Sequence, residues 1–288
     1  MSIFDTLTKI ERDRTQDAYL EYVKGRDGVP DLAARSLKKR EAYFAKVEAE
    51  AAKYQGDVPT AEFFAGMKSN RELKQMSELG QWMCCVARSN EGESFVIDMA
   101  LADSDKRSRD LNDPITYVQL EEFYHTRMLL HSLDLLGVSD LRLSEPRGFG
   151  RTFLTLLARM PKDVSNVLAL LGEVAGVVLF DALRDKGAEL LDADDPVTAQ
   201  ILDMLDQLLI DEYGHMAFVR SRLGPVRMEL VRKMAPKFIP RMYLDNRPAA
   251  ALFSLRELTE RALAMDLDFP PERIQARVFD AKAVMAPN

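Results

Sequence analysis

Two matching tetrads, Glu122-Phe123-Tyr124-His125 and Glu212-Tyr213-Gly214-His215, constrain this chain more than any other feature in it. Each sets a carboxylate and an imidazole three residues apart. On an α-helix, residues i and i+3 lie on one face about one turn apart. Each tetrad can therefore offer one oxygen and one nitrogen to the same metal ion. The chain has three histidines, and two of them stand in this setting. A Glu three residues before a His is common on a solvated helix face. Two such tetrads, 90 residues apart and each flanked by apolar residues, ask for a different explanation.

Between the tetrads, residues 166–180 are apolar on every side except for Glu173. A helix that is hydrophobic all round is a buried one. An ionised carboxylate there is costly unless it is paired or binds a metal, so Glu173 reads as a ligand. Before the first tetrad, the choice lies between Glu91 and Glu93. The helical face through Glu93 carries Trp82, Val86, Val96, Ile97 and Ala100, whereas the face through Glu91 carries Arg88, Ser94 and Asp98. Hairpin geometry agrees. Glu93 stands roughly 16 Å back from a turn near 102–104, and Glu122 about 12 Å into a helix starting at Pro114. An antiparallel pair brings the two level. Glu93 is chosen, with Glu91 as the alternative.

The acid before each tetrad also enters the pattern. Glu121 precedes Glu122, and Asp211 precedes Glu212. Each is turned about 100° round its helix from the ligand Glu and points towards a neighbouring helix. A metal-bound imidazole usually gives its other N–H to a carboxylate or carbonyl. Crosswise pairing is expected, Asp211 with His125 and Glu121 with His215.

Helical periodicity dominates the chain, with no convincing alternating strand. Amphipathic segments are expected at 3–24 and 31–54, separated by the turn Lys24-Gly-Arg-Asp-Gly-Val-Pro30, then a short segment after Pro59-Thr60. A long helix is expected over 71–103, followed by the charged connection 103–107. Asp113-Pro114 opens the next helix, with Asp as N-cap and Pro at the first position, and Gly137 closes it. An irregular stretch at 138–150 leads to a helical segment at 151–159. Pro161 then opens the Glu173 helix, which runs to about Lys186. Asp195-Pro196 repeats the Asp-Pro start, and that helix ends at Gly224-Pro225. Residues 71–137 and 161–223 thus form two similar hairpins, each a lone Glu followed by Glu-x-x-His. Residues 226–288 read as further helix broken by Pro236, Pro240, Pro248 and Pro270-Pro271. The expected organisation is one all-α domain, with flanking helices at 1–58, a core at 71–224 and further flanking helices at 225–288.

A net charge of −7 lacks the basic footprint of a nucleic-acid-binding protein. The start, Met-Ser-Ile-Phe-Asp-Thr, has no basic then apolar region of a signal peptide. The longest apolar run is interrupted by Glu173 and falls short of the ~20 residues of a membrane span. Cys84 and Cys85 are adjacent, diverge on a helix, and read as packing residues in a reducing compartment. A cytoplasmic location is expected.

The order Glu93, Glu122-x-x-His125, Glu173, Glu212-x-x-His215 resembles the ferritin-like di-iron carboxylate superfamily, over roughly residues 71–224. In that superfamily two helices each contribute a Glu and two contribute Glu-x-x-His to a four-helix bundle. The resemblance implies two iron ions, or manganese, held by these six residues. Four carboxylates and two imidazoles are a mostly hard set suited to either metal. Members include ferroxidases, rubrerythrins, manganese catalases, ribonucleotide reductase small subunits, acyl desaturases, hydroxylases and arylamine N-oxygenases. The chain has no Cys-x-x-Cys of the rubrerythrin kind. Leu129 stands where the radical tyrosine of a ribonucleotide reductase small subunit would be expected, and Leu208 where arylamine N-oxygenases add a histidine. About 130 residues lie outside the core and could wall a substrate cavity.

The leading expectation is an O2-dependent di-iron oxidoreductase that hydroxylates, N-oxygenates or desaturates a small organic substrate. Its electrons would come from a separate donor, because no flavin or iron–sulfur motif is visible, and a homodimer is compatible with the chain. A ferroxidase or peroxide-consuming protein is the first alternative, and a helical interaction protein with incidental tetrads the second. His131, six residues from His125, is expected to take no part, and Tyr124 and Tyr213 to pack. Gly176 and Gly214 either leave room for oxygen or substrate or let helices approach closely.

Overall fold

Both Asp-Pro pairs open helices as their chemistry requires. The Asp113 carboxylate accepts from the Ile115 N–H at 3.1 Å, and the Asp195 carboxylate accepts from the Val197 N–H at 2.9 Å. Each oxygen satisfies one of the N–H groups that a helix start leaves without an intrahelical partner. The following proline has no N–H to lose and a φ already suited to the helix.

The computed structural model describes residues 1–25, 45, 49, 70–102, 110–138, 148–160, 162–267 and 270–285. Among them the chain is all-helical, with one isolated antiparallel bridge between Ser2 and Asp266. The helices are α1 (Lys9–Gly25), α2 (Asn70–Gln75), α3 (Glu78–Ala102), α4 (Pro114–Leu135), α5 (Gly148–Arg159) and α6 (Lys162–Leu190). They continue with α7 (Pro196–Ser221), α8 (Pro225–Asp245), α9 (Arg247–Leu252), α10 (Leu255–Leu263), α11 (Glu272–Gln275) and α12 (Ala281–Met285). The segments expected at 31–54 and after Pro59-Thr60, the connection 103–107 and most of 138–150 lie outside the described residues.

Four helices form a closed ring: α3 packs on α4, α4 on α7, α7 on α6, and α6 back on α3. The rest wrap this ring, α1 lying against α7, α8 against α6, and α5 against both α3 and α6. Glycine sets the spacing where α3 meets α6. A Cβ on Gly187 would stand 3.0 Å from the Trp82 ring. The indole cannot swing away, because its N–H donates to the Leu183 carbonyl at 2.8 Å, one turn before Gly187. The C-terminal helices are tied to the ring by charge. Arg273 bonds Asp181 of α6 at 2.5 Å and Asp206 of α7 at 2.7 Å, and Arg261 of α10 reaches Asp181 at 2.6 Å.

Several bounds differ from those expected, each for a local reason. The first helix starts at Lys9 rather than residue 3. Thr8 and Glu11 form a reciprocal cap there, the Glu11 N–H bonding Thr8 Oγ1 and the Thr8 N–H bonding Glu11 Oε2. Residues before it run beside the 265–266 segment, with the Ile3 N–H on the Met265 carbonyl. The helix expected over 71–103 is interrupted between α2 and α3, where the Ser77 hydroxyl accepts from the Gly80 N–H and caps a fresh start.

The helix α6 runs one turn past Lys186, to Leu190. Over Val164–Leu190 it is long and apolar enough to cross a membrane by length and composition, contrary to the count that stopped at Glu173. In the fold, 72% of its most apolar window is buried.

Prolines 236 and 240 do not break α8. Met228, Val231, Ala235, Ile239 and Tyr243 form a buried stripe along it, and the Tyr243 hydroxyl donates to the Ala175 carbonyl of α6 at 3.0 Å. Anchoring on both sides of the prolines outweighs the ~3 kcal/mol that a proline costs inside a helix. Pro236 itself faces solvent, so water can reach the carbonyl one turn earlier. Cys84 and Cys85 are free and buried, and burial pushes the Cys84 thiol up to about 12.

The spacing at Gly187 is open to test. Alanine would gain about 1 kcal/mol in helix propensity but overpack the indole, at a typical cost of about 1–3 kcal/mol. Gly187→Ala is expected to lower stability in a denaturant titration, whereas a gain would mean that the indole yields freely.

Candidate metal centre

Each ring helix turns one part of the sequence pattern inwards: Glu93 from α3, Glu122 and His125 from α4, Glu173 from α6, and Glu212 and His215 from α7. The structure brings all six together. Glu122, Glu173, Glu212 and His215 offer donor atoms that all lie within 4.8 Å of one another, and so do Glu93, Glu122 and His125. Glu122 belongs to both groups, so one carboxylate can face two metal positions. Glu91 belongs to neither group.

The two imidazoles face each other across this shared carboxylate, with ring centroids 5.5 Å apart. His125 Nδ1 lies 3.0 Å from Glu212 Oε1, and His215 Nδ1 lies 3.1 Å from Glu122 Oε1. Each tetrad's imidazole thus stands closer to the other tetrad's carboxylate than to its own, at 3.6 and 4.0 Å. Neither Nδ1 has a partner in hydrogen-bonding geometry, although both rings are fully buried. A buried ring nitrogen without a hydrogen bond, among converging carboxylates, is what a metal ligand requires. The donor set fits a metal ion.

Behind the rings lies the crosswise arrangement anticipated from the sequence. Asp211 Oδ2 is 3.2 Å from His125 Nε2, and Glu121 Oε2 is 3.1 Å from His215 Nε2. Both acids are 1% exposed, so neither is solvated. An ionised carboxylate only accepts, so each Nε2 carries a ring proton and each Nδ1 is the ring atom left to face the centre. The histidines have no accessible surface, while the Glu122 side chain retains 24%. Glu93 and Glu173 are also only partly buried. Room for a solvent-sized group therefore lies on the carboxylate side of the cluster.

Burial, and then the neighbouring charges of Glu122 and Glu212, hold Glu93 well above the usual carboxylate range. Glu173 is raised by burial and by Glu212. Glu122 goes the other way: burial opposes its ionisation, but His125 and His215 bring it well below that range. Burial alone would lower both histidines. Asp211, Glu122 and Glu212 raise His125, and Glu121, Glu122 and Glu212 raise His215. Without a cation, the cluster meets its own negative charge by holding protons.

The remaining sequence candidates resolve by position. His131 lies beside Asp134, with Nδ1 3.4 Å from its carboxylate, and belongs to neither donor group. Leu129, Leu208, Tyr124 and Tyr213 are core residues. At Gly214 close packing decides: an added Cβ would meet the Tyr19 ring of α1 at 3.0 Å, and that ring stacks on Phe218. A Cβ at Gly176 would meet only the Phe180 ring edge, at 3.8 Å. Sequence reasoning missed Gln207, whose amide donates to Asp211 Oδ1 at 3.1 Å. Its position four residues before Asp211, on one helical face, was the available signal. Comparison with protein-family models, with curated proteins and with solved structures finds no match.

Two outcomes follow from this geometry. Asp211→Ala, which leaves the His125 N–H without its acceptor, is expected to weaken metal binding about 10–100-fold. Undiminished affinity in equilibrium dialysis would contradict the crosswise role. Metal uptake must also displace the protons held by raised groups, His125, His215, Glu93 and Glu173. Binding should therefore release protons and tighten as pH rises. Calorimetry in buffers of different ionisation enthalpy measures this directly, and uptake without proton release would refute the charge assignment.

Proposed function

We propose that the chain is a non-haem di-iron oxidoreductase of ferritin-like build, which uses dioxygen to hydroxylate, N-oxygenate or desaturate an organic substrate. The observation that carries the reading is the pair of buried Nδ1 atoms turned to Glu212 and Glu122 at 3.0 and 3.1 Å, each ring backed by the opposite helix's acid. A single structural ion would need one such half. Two halves that share a carboxylate suit two ions. Iron fits the hard oxygen and imidazole donors, and a reduced pair supplies the electrons that activate dioxygen.

The protein's own part is positional and electrostatic. Glu93, Glu122 and His125 would hold one cation and Glu122, Glu173, Glu212 and His215 the other, with Glu122 common to both donor groups. Four carboxylates would offset the charge of two divalent ions in a low-dielectric core. Asp211 and Glu121 hold the imidazole tautomers. The apolar ring excludes bulk water from the histidine side, leaving the carboxylate side for a small ligand.

Action on an organic substrate, rather than on iron alone, is supported by the helices wrapped round the ring and by the partial exposure of Glu93, Glu122 and Glu173. Reducing equivalents come from a separate donor. The test is oxygen consumption by iron-loaded protein with a chemical reductant, screened over arylamines, fatty acyl groups and small aromatics. Uptake that depends on an organic compound and yields its oxidised product is expected. Iron oxidation with no organic product would assign a ferroxidase instead, and no oxygen uptake at all would contradict the proposal.

A further inference from the structure

We infer that Gln207 is a positioning residue for His125, braced from the protein surface by Arg277. The inference rests on the di-metal reading of the site and extends it two residues outwards. Three contacts in series make the brace. Arg277 Nη2 donates to Gln207 Oε1 at 2.8 Å, Gln207 Nε2 donates to Asp211 Oδ1 at 3.1 Å, and Asp211 Oδ2 faces His125 Nε2 at 3.2 Å. Guanidinium can only donate and carboxylate can only accept, so the orientation of the amide between them is forced. Arg277 and Gln207 donate in turn towards Asp211, whose other oxygen accepts the His125 Nε2 proton, leaving Nδ1 as the ring atom that faces the cluster.

An exposed arginine is usually a weak anchor, because fixing its side chain costs entropy. Here its backbone is held. The Tyr22 hydroxyl of α1 donates to the Arg277 carbonyl at 2.9 Å. Two residues on, Phe279 packs against both Tyr19 and Tyr22. Gln207 is fixed as well, since it lies on α7 one turn before Asp211. The segment just after α11, remote in sequence from either tetrad, thereby bears on one of the two imidazoles. Its influence falls on the His125 position, because His215 is supported from α4 through Glu121.

The test is titration of the metal-free full chain with Co(II), followed by visible absorption and paired with thermal unfolding before metal is added. Wild type should take two equivalents. Gln207→Leu should weaken one of them about tenfold, at the low end of the range for groups that support a ligand, with metal-free stability little changed. Arg277→Met should act in the same direction, and Arg277→Lys, which can still donate to the amide oxygen, should restore binding. In a His125→Ala background, Gln207→Leu should have no further effect on the ion that remains. Two wild-type affinities in Gln207→Leu would overturn the brace while leaving the di-metal reading intact. So would equal weakening of both ions together with lost stability. Wild type binding fewer than two ions would overturn both. Should Gln207→Leu fail to fold, the Arg277→Met and Arg277→Lys pair decides alone, and no difference between them and wild type refutes the brace.

Discussion

The imidazole–carboxylate pairs that cross between α4 and α7 are the contacts on which the rest of the core depends. Burying an ion costs several kcal/mol unless its charge and hydrogen bonds are met, and this core gathers six carboxylates round two imidazoles. Asp211 and Glu121 are each met by the ring N–H of the opposite helix. That contact does two things at once. It satisfies an acid that has 1% exposure, and it leaves the other ring nitrogen turned towards Glu122 and Glu212. A uniformly apolar contact between α4 and α7 would pack well and position nothing.

Small residues and aromatic rings hold the helices at the separation these contacts need. Trp82 occupies the notch at Gly187 and fixes α3 against α6, while Tyr19 occupies the notch at Gly214 and fixes α1 against α7. A shift of one ångström between α4 and α7 would take both crosswise contacts beyond hydrogen-bonding range. The Arg273 and Arg261 contacts to Asp181 and Asp206 bind the C-terminal helices to the ring helices α6 and α7. The packed shell and the site are therefore one mechanical unit.

Much of the site was legible because its constraints are local. The tetrads are set by helical period alone, and Glu173 shows itself as a lone charge in an apolar stretch. Glu93 could be separated from Glu91 by the residues sharing its face. The direction of Asp211 and Glu121 followed from the 100° step between neighbouring residues, and the two Asp-Pro starts from capping chemistry. What escaped was non-local, or rested on a competition between terms. Nothing near Gln207 points to Arg277, 70 residues away. The prolines of α8 read as breaks because propensity counts the lost hydrogen bond and not the buried stripe that outweighs it. At Gly214 the sequence allowed either an open space or a close contact, and only the position of α1 chose between them.

The proposed function requires that the cluster hold two metal ions, one near each imidazole, with Glu122 common to both donor groups. Anomalous diffraction from iron-loaded crystals tests it most directly. The account predicts two iron peaks in the ring, each bonded to one Nδ1, with the Glu122 carboxylate reaching both. A single peak, or none in well-folded protein, would contradict it.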